Sequence, residues 1–101
     1  MNVSRKCFNN KKILIYGMGK SGFSSYHFLK KKNYIKIYDD KKKIIKNKSI
    51  KKFFLEKSKI SKIKFDYIVI SPGINVNKCN LKNYLKKNSQ RIITDLDIFY
   101  S

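Results

Sequence analysis

KILIYGMGKSGFSSYHFLKKKNYIKIYDD, residues 12 to 40, decides the fold. Ile13-Leu14-Ile15-Tyr16 is a short, unbroken apolar run, as a strand buried on both faces of a parallel sheet requires. It stops at Gly17, Gly19 and Gly22, spaced G-x-G-x-x-G. In that spacing the first glycine permits a tight turn, the second lets the backbone approach a phosphate, and the third allows a helix to pack closely on the strand. A helix starting there aims free N–H groups and the positive end of its dipole at an anion. A second apolar strand, Tyr34 to Tyr38, ends in Asp39, about twenty residues past the glycines, where a carboxylate can accept hydrogen bonds from a ribose.

With 101 residues the chain reads as a single domain, residues 1 to 101, with a modest core and room for one site. It contains no run of about eighteen apolar residues, and MNVSRKCFNNKK at the N-terminus lacks the apolar centre of a signal peptide, so no membrane partner is expected and the location reads as cytoplasmic. Cys7 and Cys79 are far apart and His27 is the single histidine, which suggests neither a metal site nor a disulfide framework. The net charge of +19 invites nucleic acid as a partner. However, 23 of the 25 basic residues are lysine and alanine is absent, which is the pattern that AT-rich codons leave at freely drifting surface positions. Only two arginines are available for bidentate contacts, so no specific nucleic acid is expected.

Taken in order, residues 1 to 11 are polar and read as a loose lead-in. From Lys20 to Lys32, Phe23, Tyr26, His27, Phe28 and Leu29 form a helical stripe that Asn33 stops. His27 lies inside that helix, away from the glycine turn, and reads as structural. The lysine-rich segment after Asp40 is expected to hold a helical turn, a short strand around Ile50 to Leu55, and a short helix or loop. In FDYIVISPGI, residues 65 to 74, Asp66 opens a fourth strand, Tyr67 to Ile70, that Ser71-Pro72-Gly73 breaks at once. Leu81, Tyr84 and Leu85 mark a helix over Asn80 to Asn88, Arg91 to Ile93 a last strand, and Asp95 to Tyr100 a final helix with Thr94 as its cap. The fold class is therefore α/β: a Rossmann-like open parallel sheet of about five strands with helices on both faces.

If the strand Tyr34 to Tyr38 flanks the first strand on one side and Tyr67 to Ile70 on the other, the strand order reverses between them. Ligands of such sheets bind in the crevice at that reversal. The crevice would lie between Gly17 to Gly22 and Ser71 to Gly73, with Ser21 and Ser71 adding hydroxyls to backbone N–H groups. Lys41 follows the end of the second strand, beside anything Asp39 holds. The sequence contains no G-x-x-x-x-G-K-[ST] phosphate loop and no Ser/His/Asp or Cys/His constellation, so the domain is expected to bind rather than to catalyse.

The combination of YGMGKSG, Asp39, ISPGI and TDLDIF resembles the N-terminal domain of the MurD branch of the Mur ligases, over residues 10 to 100. That resemblance implies a UDP-sugar-binding domain of a peptidoglycan ligase whose substrate is UDP-N-acetylmuramoyl-L-alanine. It implies contacts from Lys20 and Ser21 to the diphosphate through the loop of Gly17, Gly19 and Gly22, from Asp39 and Asp40 to the uracil or ribose end, from Lys41 along the uracil, and from Gly73, beside Ser71 and Pro72, on the nucleotide's other side. Asp40 departs from the small hydroxyl residue that can occupy its place. ATP and Mg2+ belong to a central domain in that family, so this chain carries no cofactor of its own. Because the chain stops where the central domain would begin, the resemblance implies a fragment, a split gene product or a decayed copy, inactive as a ligase alone, with a separate chain bearing the central and C-terminal domains as one candidate partner. Two other classes stay open on the residues alone: an NAD-binding domain of an oxidoreductase, which shares the glycines and Asp39, and a basic nucleic-acid-binding module. Ligand preference separates the first, and salt-resistant, sequence-specific binding the second.

Overall fold

The axis of the sheet is β1, Lys12–Tyr16, whose residues 13 to 16 are fully buried. The computed structural model describes residues 8–41, 45–46 and 48–99. Strand β2, Tyr34–Tyr38, pairs parallel with β1 from Lys12↔Tyr34 to Tyr16↔Tyr38. On the other side β3, Tyr67–Ile70, pairs parallel from Ile13↔Tyr67 to Tyr16↔Ile70, and the short β4, Ile92–Ile93, extends it. The order β2-β1-β3-β4 meets the condition set out from the sequence, with β2 and β3 on opposite sides of β1.

The period-2 geometry of a strand splits the core into two layers. Ile13, Ile15, Ile35, Ile37 and Val69 face one side, where helix α1, Lys20–Leu29, brings Tyr26 and Leu29, the turn α2, Lys48–Lys51, brings Ile50, and the last helix brings Ile98. Leu14, Tyr16, Tyr38, Ile68 and Ile70 face the other, covered by Ile60 of α3, Lys57–Ile60, by Leu85 of α4, Lys82–Lys87, and by Leu81 just before it. That last helix, α5, Asp95–Phe99, closes the first layer, and Tyr100 lies outside the described residues. Its start is fixed by Asp97, whose carboxylate accepts the Thr94 N–H at 2.9 Å.

Four expectations are corrected. The sheet has four strands, because Ile50 to Leu55 does not form a strand: residues 48–51 are helical and only Phe54 bridges to Ile37 on the outer edge of β2. The backbone there makes two bonds, Ile37 N–H to Phe53 O and Leu55 N–H to Ile37 O, and then turns into α3. The buried stripe of α1 is Gly22, Ser25, Tyr26 and Leu29, whereas Phe23 and Phe28 are 39% and 58% exposed. Small residues at positions 22 and 25 let the helix lie close to the sheet, which turns the bulkier aromatics outward. The helix also ends at Leu29, three residues early; Asn33 does serve as its stop, donating to Leu29 O at 2.9 Å. Of the lead-in, residues 1–7 lie outside the described residues, Cys7 among them, but Phe8 to Lys11 is tied down. Phe8 stacks edge-on against Tyr67 with ring centroids 5.2 Å apart, and Asn33 bonds to Phe8 O and to the Lys11 N–H.

Leu14 sits at the centre of the second layer with no exposed surface. Truncation to alanine should cost about 2–5 kcal/mol and lower the thermal midpoint by roughly 10 °C or more in a domain of this size, measured by circular dichroism.

Candidate functional site

The turn after β1 is built around close approach. Gly17 has φ +96, in the left-handed region, and a Cβ there would lie 2.8 Å from the Ser71 Oγ. A Cβ on Gly22 would lie 1.7 Å from the carbonyl oxygen of Gly17, so the first turn of α1 rests directly on the backbone of the loop. Gly19 differs: nothing stands within 4 Å of its added Cβ, which would project into open space. Gly19 is also the helix N-cap and brings no side chain to it. The first helical bond runs from Phe23 N–H to Gly19 O at 2.9 Å, so the N–H groups of Lys20, Ser21 and Gly22 precede the ladder and give the helix its anion-attracting end.

These groups open on a cleft of about 520 Å³ at the carboxyl ends of β1, β2 and β3. Its walls include Gly17, Gly19, Lys20, Ser21, Asp39, Asp40, Lys41, Ser71, Pro72 and Gly73, so ten of the eleven residues singled out from sequence converge there. Gly22 lies behind the turn and serves packing. Ser71 does more than end its strand, since its hydroxyl donates to Gly17 O at 3.0 Å and ties the two loops together. His27 lies outside the cleft, beside Phe23 on α1 at a centroid distance of 4.4 Å.

The carboxylates hold the cleft's shape. Asp39 is nearly buried, and each of its oxygens accepts a backbone N–H at 2.8 Å, one from Met18 in the glycine loop and one from Lys41. It therefore clamps the glycine loop to the end of β2. Asp40 accepts a hydrogen bond from the Tyr16 hydroxyl on one oxygen and from the Asn80 N–H at 3.3 Å on the other. Asn80 also donates from its side chain to the Tyr38 hydroxyl at 3.2 Å. This latch joins the end of β2 to the loop after β3. Burial first, and then the neighbouring Asp40 carboxylate, keep the Tyr16 hydroxyl protonated well above the usual phenol range, as a donor must be.

Sequence reasoning missed the rest of that loop. Ile74, Asn75, Lys78 and Cys79 also line the cleft, and Asn75 accepts the Asn77 N–H at 3.0 Å in a tight side-chain turn. The Asn-x-Asn pattern, read as turn chemistry, would have marked the loop as compact. Cys79 is a free thiol on the cleft wall.

Tyr16→Phe tests the latch. Losing a hydrogen bond to a charged group should cost about 1.5–3 kcal/mol. The sign with pH follows from the raised tyrosine: its contribution is present below the phenol's ordinary value of 10.0 and declines as pH rises past it. The loss between wild type and variant should therefore be full at pH 7 in urea titrations and shrink above about pH 10.

Residues 11–93 match the family described as Mur ligase MurD-like, N-terminal domain. Among curated relatives, the UDP-N-acetylmuramoylalanine–D-glutamate ligase of Buchnera aphidicola subsp. Baizongia pistaciae is 39% identical over 97 residues, covering 89% of this chain and 22% of that protein. The like-named ligase of Caldicellulosiruptor saccharolyticus is 33% identical over 100 residues, covering 89% of this chain and 22% of that protein. That of Rickettsia conorii is 31% identical over 97 residues, covering 90% and 19%. This chain thus spans about a fifth of the length of the curated relatives it matches. No solved structure matches. Among the described residues no helix is long and apolar enough to cross a membrane. With a glycine turn, a reversed strand order and a matching family over most of its length, the chain belongs to the MurD-like N-terminal domain family of the Mur ligases.

Proposed function

We propose that the cleft binds the UDP portion of UDP-N-acetylmuramoyl-L-alanine, and that this chain supplies the nucleotide-sugar-binding part of a D-glutamate-adding ligase of peptidoglycan synthesis. The observation that carries the reading is the open approach at Gly19. It leaves bare backbone donors at a helix N-terminus, matched to a diphosphate, at the strand reversal where nucleotides bind in such sheets. Lys20 and Lys41 on the cleft walls add positive charge toward the same anion. Gly73, where an added Cβ would also meet nothing within 4 Å, leaves room for a ligand at the opposite loop.

On this reading the chain carries no magnesium–ATP centre of its own. Among the described residues no three His, Cys, Asp or Glu side chains gather as metal ligands, and the sequence has no phosphate loop of the G-x-x-x-x-G-K-[ST] type. The work of this chain is to bind and orient. ATP, Mg2+ and D-glutamate are assigned to the remaining length that the relatives have, whether continuous with this chain or on a partner chain.

Asp39→Asn is a poor probe of this reading, because an amide would set its NH2 against one of two backbone N–H groups and disturb the clamp itself. Gly19→Ala is cleaner. The methyl group projects into the cleft without touching protein, and the small cost of alanine at a helix N-cap is offset by a less flexible unfolded chain. The variant should keep its thermal midpoint within a few degrees and bind UDP at least about tenfold more weakly, a loss of about 1.4 kcal/mol. Calorimetry and NMR shift mapping with UDP, UDP-N-acetylmuramoyl-L-alanine and NAD check the reading. UDP-induced shifts should fall on residues 17 to 22 and 71 to 73, and a preference for NAD would reject it.

A further inference from the structure

A second space lies beside the loop that follows β3. Between α3 and α4, over the second core layer, runs a groove of about 500 Å³. It shares no lining residue with the cleft, yet consecutive residues divide the two: Cys79 lines the cleft and Asn80 the groove. The floor of the groove is apolar, made by the buried Ile60 and Leu81, with the half-buried Tyr84 beside them. Its polar residues are Lys57, Ser58, Ser61, Asn80 and Asn83, and no Asp or Glu lines it. Burial pushes the Tyr84 hydroxyl above the usual phenol range, with Arg91 pulling the other way, so that hydroxyl stays protonated and able to donate. Hydroxyls and amides can donate and an ammonium group only donates, so the lining offers donors in excess, one positive charge and no negative one.

A space of this size, with an apolar floor and a small number of polar groups, has the ordinary form of a small-molecule site. We propose that the groove between α3 and α4 is a second ligand site, for a small anion with a flat apolar body, and that its occupant communicates with the cleft through Asn80. The apolar body covers Ile60 and Leu81, and the anionic group takes the donors of the wall. Asn80 gives the site its reach. Its N–H donates to Asp40 at 3.3 Å and its side chain to the Tyr38 hydroxyl at 3.2 Å, which joins the loop after β3 to the end of β2. Both bonds are long for their kind, so a ligand touching Asn80 can bias this joint. The effect is then reciprocal between groove and cleft. The coupling rests on the nucleotide reading of the cleft, whereas the groove site stands apart from it.

The full chain is titrated with 2-naphthoate, with acetate and with 2-naphthylmethylammonium, followed by NMR. 2-Naphthoate should shift residues 57 to 61 and 80 to 84 and bind at least about tenfold more tightly than the cation of the same body. Acetate, which carries the charge without the rings, should leave those residues unshifted. Ser58→Trp, which fills the groove from an exposed position on α3, should abolish the naphthoate shifts, and Ser89→Trp, exposed and outside the groove, should keep them. Unchanged thermal midpoints verify that the variants fold. Naphthoate shifts confined to other residues, equal binding of the cation, or shifts that survive Ser58→Trp overturn the site. UDP is then titrated by calorimetry with and without saturating 2-naphthoate. Its Kd should differ by at least about fivefold in wild type and agree within about twofold in Asn80→Ala. An unchanged Kd in wild type overturns the coupling alone. A chain that does not bind UDP overturns the cleft reading and the coupling together, while the naphthoate shifts still decide the groove.

Discussion

The arrangement depends on the contact between Gly22 and the carbonyl of Gly17. No side chain fits between them, so α1 starts against the end of β1 and not a few ångströms above it. That closeness carries Ser25 and Tyr26 onto the sheet, turns the N–H groups of residues 20 to 22 toward the cleft, and leaves Gly17 in a conformation suited to glycine. Relaxing it would move the helix and with it every donor at its end.

Around this contact the polar groups form a frame. Asp39 binds the glycine loop to β2, Ser71 binds it to the loop after β3, and Asp40 with Asn80 closes the remaining gap between β2 and that same loop. Three loops are thereby joined pairwise by hydrogen bonds, several of them to a charged acceptor, which is the stronger kind. The loops that line the cleft are thus fixed by the fold itself.

Much of this was legible from residues alone, for physical reasons. Buried parallel strands are continuous apolar runs, and ILIY, YIKIY and YIVI were each stopped by a glycine, an aspartate pair or Ser-Pro-Gly. The two loops at the ends of those runs were legible as well, while the side on which each strand pairs with the first was a condition that the observed order meets. The errors came where side-chain size and distance in sequence matter. Phe23 and Phe28 read as part of the apolar stripe of α1, yet small residues at 22 and 25 decided which face of the helix could approach. Ile50 to Leu55 read as a short strand, but its first residues are helical and the chain meets β2 at a single bridge. The latch joins Tyr16 to Asp40 and Asp40 to Asn80, partners 24 and 40 residues apart, and no local pattern announces such pairs.

A site made of backbone N–H groups has a particular relation to the chain that carries it. Main-chain atoms are the same whatever the codon, so its chemistry survives substitution at most positions provided the trace of the loop is kept. In a protein with 23 lysines and no alanine, where composition has moved far from the average, the residues that set this trace are few: the glycines, the buried Asp39, the Ser71 hydroxyl and the latch on Asp40. Surface away from the cleft can change its charge without altering that trace.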